Sequence, residues 1–150
     1  MKAVEEIVVP IDFAENTGKL VAYACYMAEK LAATLHFVHA VATYPGDVMI
    51  GAPFAEEYHD KVYFAAQERM ANLIHDTKER CPNCTGQVIN GEPVEKIVEL
   101  AEAVDADLII ISTHGAKGLE KILLGSVAER VLKRAHCPVL IMNPFKKQKN

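Results

Sequence analysis

The chain has 150 residues, 51% of them hydrophobic and 24% charged, with a formal net charge of −4. That length suits a single domain spanning 1–150, and the apolar share can fill a core, which argues against disorder. The acidic balance disfavours a nucleic-acid partner, because phosphates select a positive surface; the lysines Lys146, Lys147 and Lys149 read as a solvated end.

No run approaches the ~18 consecutive apolar residues of a membrane span. The opening MKAVEEIVVP has no small-residue cleavage site, so a cytoplasmic protein with no membrane association is expected.

The first predicted element is a strand over Glu6–Pro10, apolar through Ile7-Val8-Val9 and stopped by Pro10. A helix is predicted from about Asn16 to Ala33, with Leu20, Ala24, Met27 and Leu31 at helical steps. Tyr23 and Tyr26 share that spacing and read as packing residues. A second strand follows at Thr34–Ala40. Tyr44-Pro45-Gly46 and Gly51-Ala52-Pro53 interrupt regular structure, and the stretch 44–57 suits a lid, a partner surface or a loop.

A long helix is expected from about Ala55 to Glu79, then a strand at Gln87–Ile89. Between them, Cys81-Pro82-Asn83-Cys84 has CxxC spacing. A structural zinc needs four ligands, and no second CxxC or HxxxH follows. A thioredoxin-like site would sit between a strand and a helix rather than between a helix and a strand. The pair reads as a turn with two incidental thiols, with metal or redox roles as the alternatives. His36 and His39 lack a clear third ligand, so they do not suggest a metal.

Asn90-Gly91-Glu92 forms a turn that leads Pro93 into the first helical position, where its missing N–H costs nothing. The helix it opens carries Val94, Ile97, Val98 and Ala101 on one face. Asp107–Ile111 reads as a fully buried strand, a helix starts near Ser126, and Pro138–Met142 is a last strand closed by Pro144.

Strands alternating with helices predict a parallel sheet covered on both faces. Ligands of such α/β sheets sit beyond the carboxyl ends of the strands, where strand order reverses. Attention therefore falls on Pro10-Ile11-Asp12, the chain from Ala40, Asn90-Gly91, and Ser112 to Ser126.

The last of these loops carries the strongest signal. Ser126-x-x-Glu129 has the form of a capping box, which would make Ser126 an N-cap, and Gly125 stands directly before it. A helix start beside glycine lets an anion reach free N–H groups. Gly115 and Gly118 offer further places for close backbone approach. The loop has neither GxxxxGK[ST] nor GxGxxG spacing, so neither a P-loop nor a dinucleotide fingerprint is present.

Gly115, nine residues and Gly125-Ser126 match in register the G-x2-G-x9-G-[ST] motif, and the chain here resembles the universal stress protein family. The likeness extends through Ser126-Val-Ala-Glu-Arg-Val-Leu-Lys-Arg-Ala-His-Cys-Pro-Val-Leu-Ile, and also covers Ile7-Val-Val-Pro-Ile-Asp12-Phe, Val38-His39-Ala40 and Gly91-Glu-Pro.

The resemblance implies a Rossmann-like, adenine nucleotide α-hydrolase-like fold with a five-stranded parallel sheet in 3-2-1-4-5 order. It implies binding of ATP, or of ADP or AMP, with Mg2+. It further implies a homodimer joined through Val139, Leu140, Ile141 and Met142, which would cover an apolar sheet edge.

On the family pattern, Pro10, Ile11, Asp12 and Ala40 would line the adenine and ribose side. Ile111, Ser112, Thr113, His114 and Gly115 would wrap the ribose and phosphates, and Gly125, Ser126, Val127 and Ala128 would hold the phosphates. Asp12 could also face a nucleotide-bound Mg2+, or simply cap the first helix. His114 reads as a loop or ligand contact rather than a general base, and Lys117 suits either a terminal phosphate or solvent.

Two positions depart from the pattern. Ser112 replaces the first glycine, which would weaken binding if that position needed glycine geometry. Ala14 stands where the family often has a capping serine.

The expectation is a dimeric nucleotide-dependent regulator or sensor in stress response. Its rivals are the same fold binding no nucleotide and a slow nucleotide hydrolase. No water-activating residue or arginine finger accompanies the loop, which argues against fast turnover and assigns no catalytic residue.

Overall fold

The computed structural model describes residues 2–43, 52–113 and 124–145. The expectations for His114, Gly115, Lys117, Gly118, the lysines at 146–149 and the start of the 44–57 stretch lie outside the described residues. The elements are β1 (Glu6–Pro10), α1 (Thr17–Leu31), β2 (Thr34–Val41), α2 (Ala52–Lys78), β3 (Cys84–Asn90), α3 (Pro93–Ala103), β4 (Leu108–Ser112), α4 (Ser126–Arg134) and β5 (Val139–Met142). All strand pairs are parallel, and the sheet order is β3-β2-β1-β4-β5.

The unbroken apolar runs have a direct explanation. Successive strand side chains point to opposite faces, and both faces are covered. Ile7, Val9, Leu35 and Phe37 join one core with Leu20, Ala24 and Ala28 of α1 and Met70 of α2. Val8, Val38, Ile109 and Ile111 join the other with Val94, Ile97 and Ala101 of α3 and Ala128 and Val131 of α4. Fully burying such side chains stabilises the fold by about 1.5–3 kcal/mol each before the entropy of ordering the chain is counted.

Several elements differ from their sequence reading. In α1 the buried stripe steps by four from Leu20 to Ala24 to Ala28, which turns Leu31 (39% exposed) and Tyr26 (48%) off it. Tyr26 is therefore not a packing residue; Lys30 Nζ lies 5.6 Å from its ring centroid. Helix α2 begins at Ala52, with Pro53 in the first turn, where a missing N–H is tolerated. Strand β3 is longer than the three residues expected. It is an edge strand with most positions exposed, so Thr85, Gly86 and Gln87 carry no apolar signal.

Glycine at 86 has a packing reason. A Cβ there would lie 2.6 Å from Met70 Sδ and 2.8 Å from Ile74 Cδ1. The CxxC pair spans the turn from α2 into β3 as expected, but its thiols are not peripheral. Cys81 and Cys84 are buried with Cys25 in the core beneath α1. Burial pushes the Cys25 thiol up to about 11, with the neighbouring Cys81 adding to the effect. His36 is committed to the sheet, with Nε2 on the Glu6 carboxylate and Nδ1 3.1 Å from Thr85 Oγ1.

No helix among the described residues is long and apolar enough to cross a membrane.

Candidate functional site

The site begins where the sheet opens. β1 and β4 pair only through Ile7↔Leu108 and Val8↔Ile109, although the strands run on to Pro10 and Ser112. Beyond those two pairs their carboxyl ends are no longer joined to each other. This is the switch point. β1 leads by α1 to one neighbour, whereas β4 arrives on its other side from the far edge strand.

A cavity of about 440 Å³ occupies this crevice, within the size range of small-molecule sites. Pro10, Ile11 and Asp12 line one wall and Ala40 the end of β2. Ile111, Ser112 and Thr113 line the end of β4. Gly125, Ser126, Val127 and Ala128 close it from α4. The expected site residues therefore come together, apart from His114 and Gly115, which lie outside the described residues. Leu20, Val38, His39, Pro93 and Ile97 also line the cavity and were not anticipated. Pro93 and Ile97 follow from the α3 N-terminus abutting the crevice. Their signal in the sequence was the Gly91-Glu92-Pro93 turn, which had been placed near the site without its helix.

The α4 end differs from the capping box. Gly125 is the N-cap, at φ −59° and ψ 151°, and Ser126 is already the first helical residue. Glu129 does not reach back; its carboxylate accepts from Lys133 Nζ at 3.0 Å. The helix therefore starts on a residue with no side chain. Glu129 N–H donates to Gly125 C=O at 2.9 Å, the first bond of the helix. That geometry leaves the N–H groups of Ser126, Val127 and Ala128 without an intrahelical acceptor.

Gly125 N–H itself donates to Thr113 C=O at 2.7 Å, and Thr113 N–H to Met142 C=O at 2.9 Å. These bonds fasten the helix start to the end of β4, so Gly125 and Ser126 meet Ser112 and Thr113 at the cavity. Ser112 stands in strand geometry beside Met142 and is not among the residues with positive φ. Glycine conformation is thus not required there.

Asp12 sits in a tight turn. Its Oδ1 accepts from Ala14 N–H at 2.9 Å and from Thr17 Oγ1 at 3.3 Å. The Ala14 departure does not bear on a helix cap, because α1 starts at Thr17 with Asn16 as N-cap. Asp12 takes over the local bonding, and no bond forms to its Oδ2 among the described residues. Asp12 does not cap α1, whose N-cap is Asn16; one of its oxygens orders the turn that approaches the helix, and the residue lines the cavity.

The opposite rim is also ordered by an acid. Glu92 caps α3, accepting from Glu95 N–H at 2.8 Å, and meets Arg130 of α4 at 3.0 Å. The Glu95 amide, aided by Arg130, holds the Glu92 carboxyl below the usual range. Gly91 precedes it at φ +146°, where a Cβ would strike the Lys96 side chain at 2.5 Å.

The chemistry this set offers is recognition. An apolar wall (Ile11, Val38, Ile97, Ile111) can take a flat hydrophobic group, a carboxylate can accept from hydroxyls, and a helix N-terminus can hold an anion. No group of three or more His, Cys, Asp or Glu among the described residues is placed to hold a metal ion.

Fold and crevice together define an open, doubly wound α/β protein with a cavity at the switch point. The chain belongs to the universal stress protein family, whose model matches residues 4–143. Universal stress protein MJ0531 of Methanocaldococcus jannaschii is 33% identical over 147 residues, covering 96% of this chain and 85% of that protein. Universal stress protein UspA from Lactobacillus plantarum superposes with a TM-score of 0.81 over 95% of this chain and 100% of its own, at 21% identity, a likeness of fold. A universal stress protein solved in complex with cAMP is 25% identical, with a TM-score of 0.63 over 95% of this chain and 99% of its own.

Proposed function

We propose that this protein binds an adenine nucleotide, ATP in the first place, in the switch-point cavity and acts as a nucleotide-dependent regulator or sensor in the stress response of the cytoplasm. The observation that carries the reading is the glycine-capped start of α4, fastened to β4 and opening into the cavity opposite Asp12. In this reading the phosphates lie on the N–H groups of Ser126, Val127 and Ala128, with Gly125 allowing close approach. Asp12 accepts from ribose hydroxyls through Oδ2 or faces a phosphate-bound Mg2+. Pro10, Ile11, Ala40 and Ile111 enclose the base, and Ser112 and Thr113 border the ribose. The cAMP complex of a relative supports an adenine nucleotide as the ligand class.

When bound, Mg2+ would neutralise phosphate charge. This chain's own residues contribute binding and orientation, and no catalytic residue is assigned.

The same reading includes a homodimer. The residues Val139–Met142 of β5 are only half-buried on an edge strand, and Leu132 and Phe145 nearby in the chain are exposed. Pairing two β5 strands about a two-fold axis would cover them.

Isothermal titration with ATP, ADP, AMP and cAMP, each with and without Mg2+, tests the ligand. Saturable binding of at least one, lost in Asp12→Ala, is expected. Absence of binding at millimolar nucleotide would favour the fold as a dimer without nucleotide, and steady phosphate release abolished by Asp12→Ala would favour a slow hydrolase. Sedimentation of Ile141→Lys tests the dimer, with the variant expected at monomer mass.

A further inference from the structure

We propose that His39 is a positioning residue for the nucleotide site, holding from β2 the strained turn that presents Asp12 to the cavity. The inference rests on the nucleotide reading above.

The turn after β1 carries an unusual conformation. Phe13 has φ 57°, the left-handed region that a bulky side chain rarely enters. Such a conformation persists only when its surroundings over-determine it. Asp12 supplies part of the hold through Ala14 N–H and Thr17 Oγ1. Those bonds come from the same turn and would relax with it.

His39 supplies a hold from another strand. Its Nδ1 lies 2.7 Å from Ile11 C=O, an atom that can only accept, so Nδ1 carries the proton. Its ring meets the Phe13 ring at a centroid distance of 4.9 Å. Ile11 N–H donates to Val38 C=O at 2.7 Å, so β2 grips the peptide on both its sides. One imidazole therefore touches the residue before Asp12 and the residue after it. A side chain that merely filled the core would need neither the donor nor the contact with Phe13.

The test compares His39→Phe, which keeps a ring but loses the donor, with His39→Asn, whose amide can donate near the position of Nδ1. Two readouts are taken. Titration with Mg-ATP should show roughly 5- to 10-fold weaker binding in His39→Phe, the equivalent of one lost hydrogen bond, and recovery of most of it in His39→Asn. Hydrogen exchange at the Ala14 amide of the ligand-free protein should accelerate in His39→Phe relative to core amides such as Val8 and Ile110.

A Phe13→Gly background provides the second check, since glycine adopts φ 57° without strain. There the loss caused by His39→Phe should shrink. Unchanged Ala14 exchange and wild-type affinity in His39→Phe would overturn the proposal, as would an equal loss in both backgrounds. If the wild type binds no nucleotide, the nucleotide reading fails by itself, and Ala14 exchange still decides whether His39 holds the turn.

Discussion

Replacing Gly125 with valine separates binding at the α4 terminus from stability of the fold. Gly125 lies at φ −59° and ψ 151°, a region open to any residue, so valine imposes no backbone strain. Exchanging glycine for valine at an N-cap should lower unliganded stability by about 1 kcal/mol or less. For a chain of 150 residues that moves the thermal midpoint by about 2–4 °C. The ligand effect is larger. A nucleotide at 100 times its Kd stabilises the native state by about 2.7 kcal/mol, and the midpoint should rise by about 5–10 °C.

The assay is thermal unfolding of both proteins across a series of Mg-ATP concentrations. The wild type should show a rise that grows with the logarithm of concentration. With phosphates placed as proposed, the added methyl groups of Gly125→Val crowd their approach to the α4 N-terminus, and the rise should vanish or move to concentrations at least tenfold higher. A variant with the full wild-type rise would refute the placement of phosphate at the α4 N-terminus. A wild type with no rise at millimolar ATP would refute nucleotide binding itself.

Four further outcomes follow from the fold. Asp107 accepts from the Glu5 and Glu6 amides at 2.9 and 3.0 Å, which holds its carboxyl below the usual range. Its folded pKa is lower than its unfolded one, so its contribution is present above about pH 4 and lost as pH falls through the folded value. Asp107→Asn should therefore unfold more easily in urea at pH 7, with the difference closing below pH 4. Gly86→Ala should destabilise by about 1–3 kcal/mol in urea, because Met70 and Ile74 must give way, and the cost should be smaller when the same change is made in a Met70→Ala background. Phe37→Ala, which empties a fully buried ring site, should cost about 3–5 kcal/mol. In native protein at pH 8 an aromatic disulfide reagent should find Cys137 first, while the buried Cys25, Cys81 and Cys84 react only on unfolding; two or more fast thiols would contradict their burial.

The sequence yields those parts of the fold whose residues answer to two covered faces. Ile7-Val8-Val9 and Leu108–Ile111 divide their side chains between two cores, and so read as strands without alternation. β3 is an edge strand whose Thr85, Gly86 and Gln87 are exposed, and it is held by backbone pairing with β2 along its length. That pairing has no residue signature, so the strand runs beyond the three residues that its sequence predicts. The α1 stripe departs from its sequence pattern at Leu31 for a related reason. A short alanine-rich stripe tolerates more than one helical phase, and only packing against Leu35 and Phe37 selects the phase.

The same logic explains the site. Its glycine and acid positions stand out because few other residues serve a helix cap or a hydroxyl acceptor. His39 does not stand out, since nothing in a strand sequence says that an imidazole will bond a carbonyl on the neighbouring strand. Ser126 and Glu129 show the converse. Their spacing fits a capping box, yet Gly125 takes the cap and leaves the helix end without a side-chain cap bond. A serine cap would have satisfied one of the N–H groups internally and set a side chain at the cavity rim. By starting one residue earlier, on glycine, α4 leaves those donors without a side-chain cap. A helix end left unsatisfied beside an open cavity costs stability unless an anion or water completes it. The lost cap is therefore the physical link between the fold as observed and the nucleotide phosphates proposed for it.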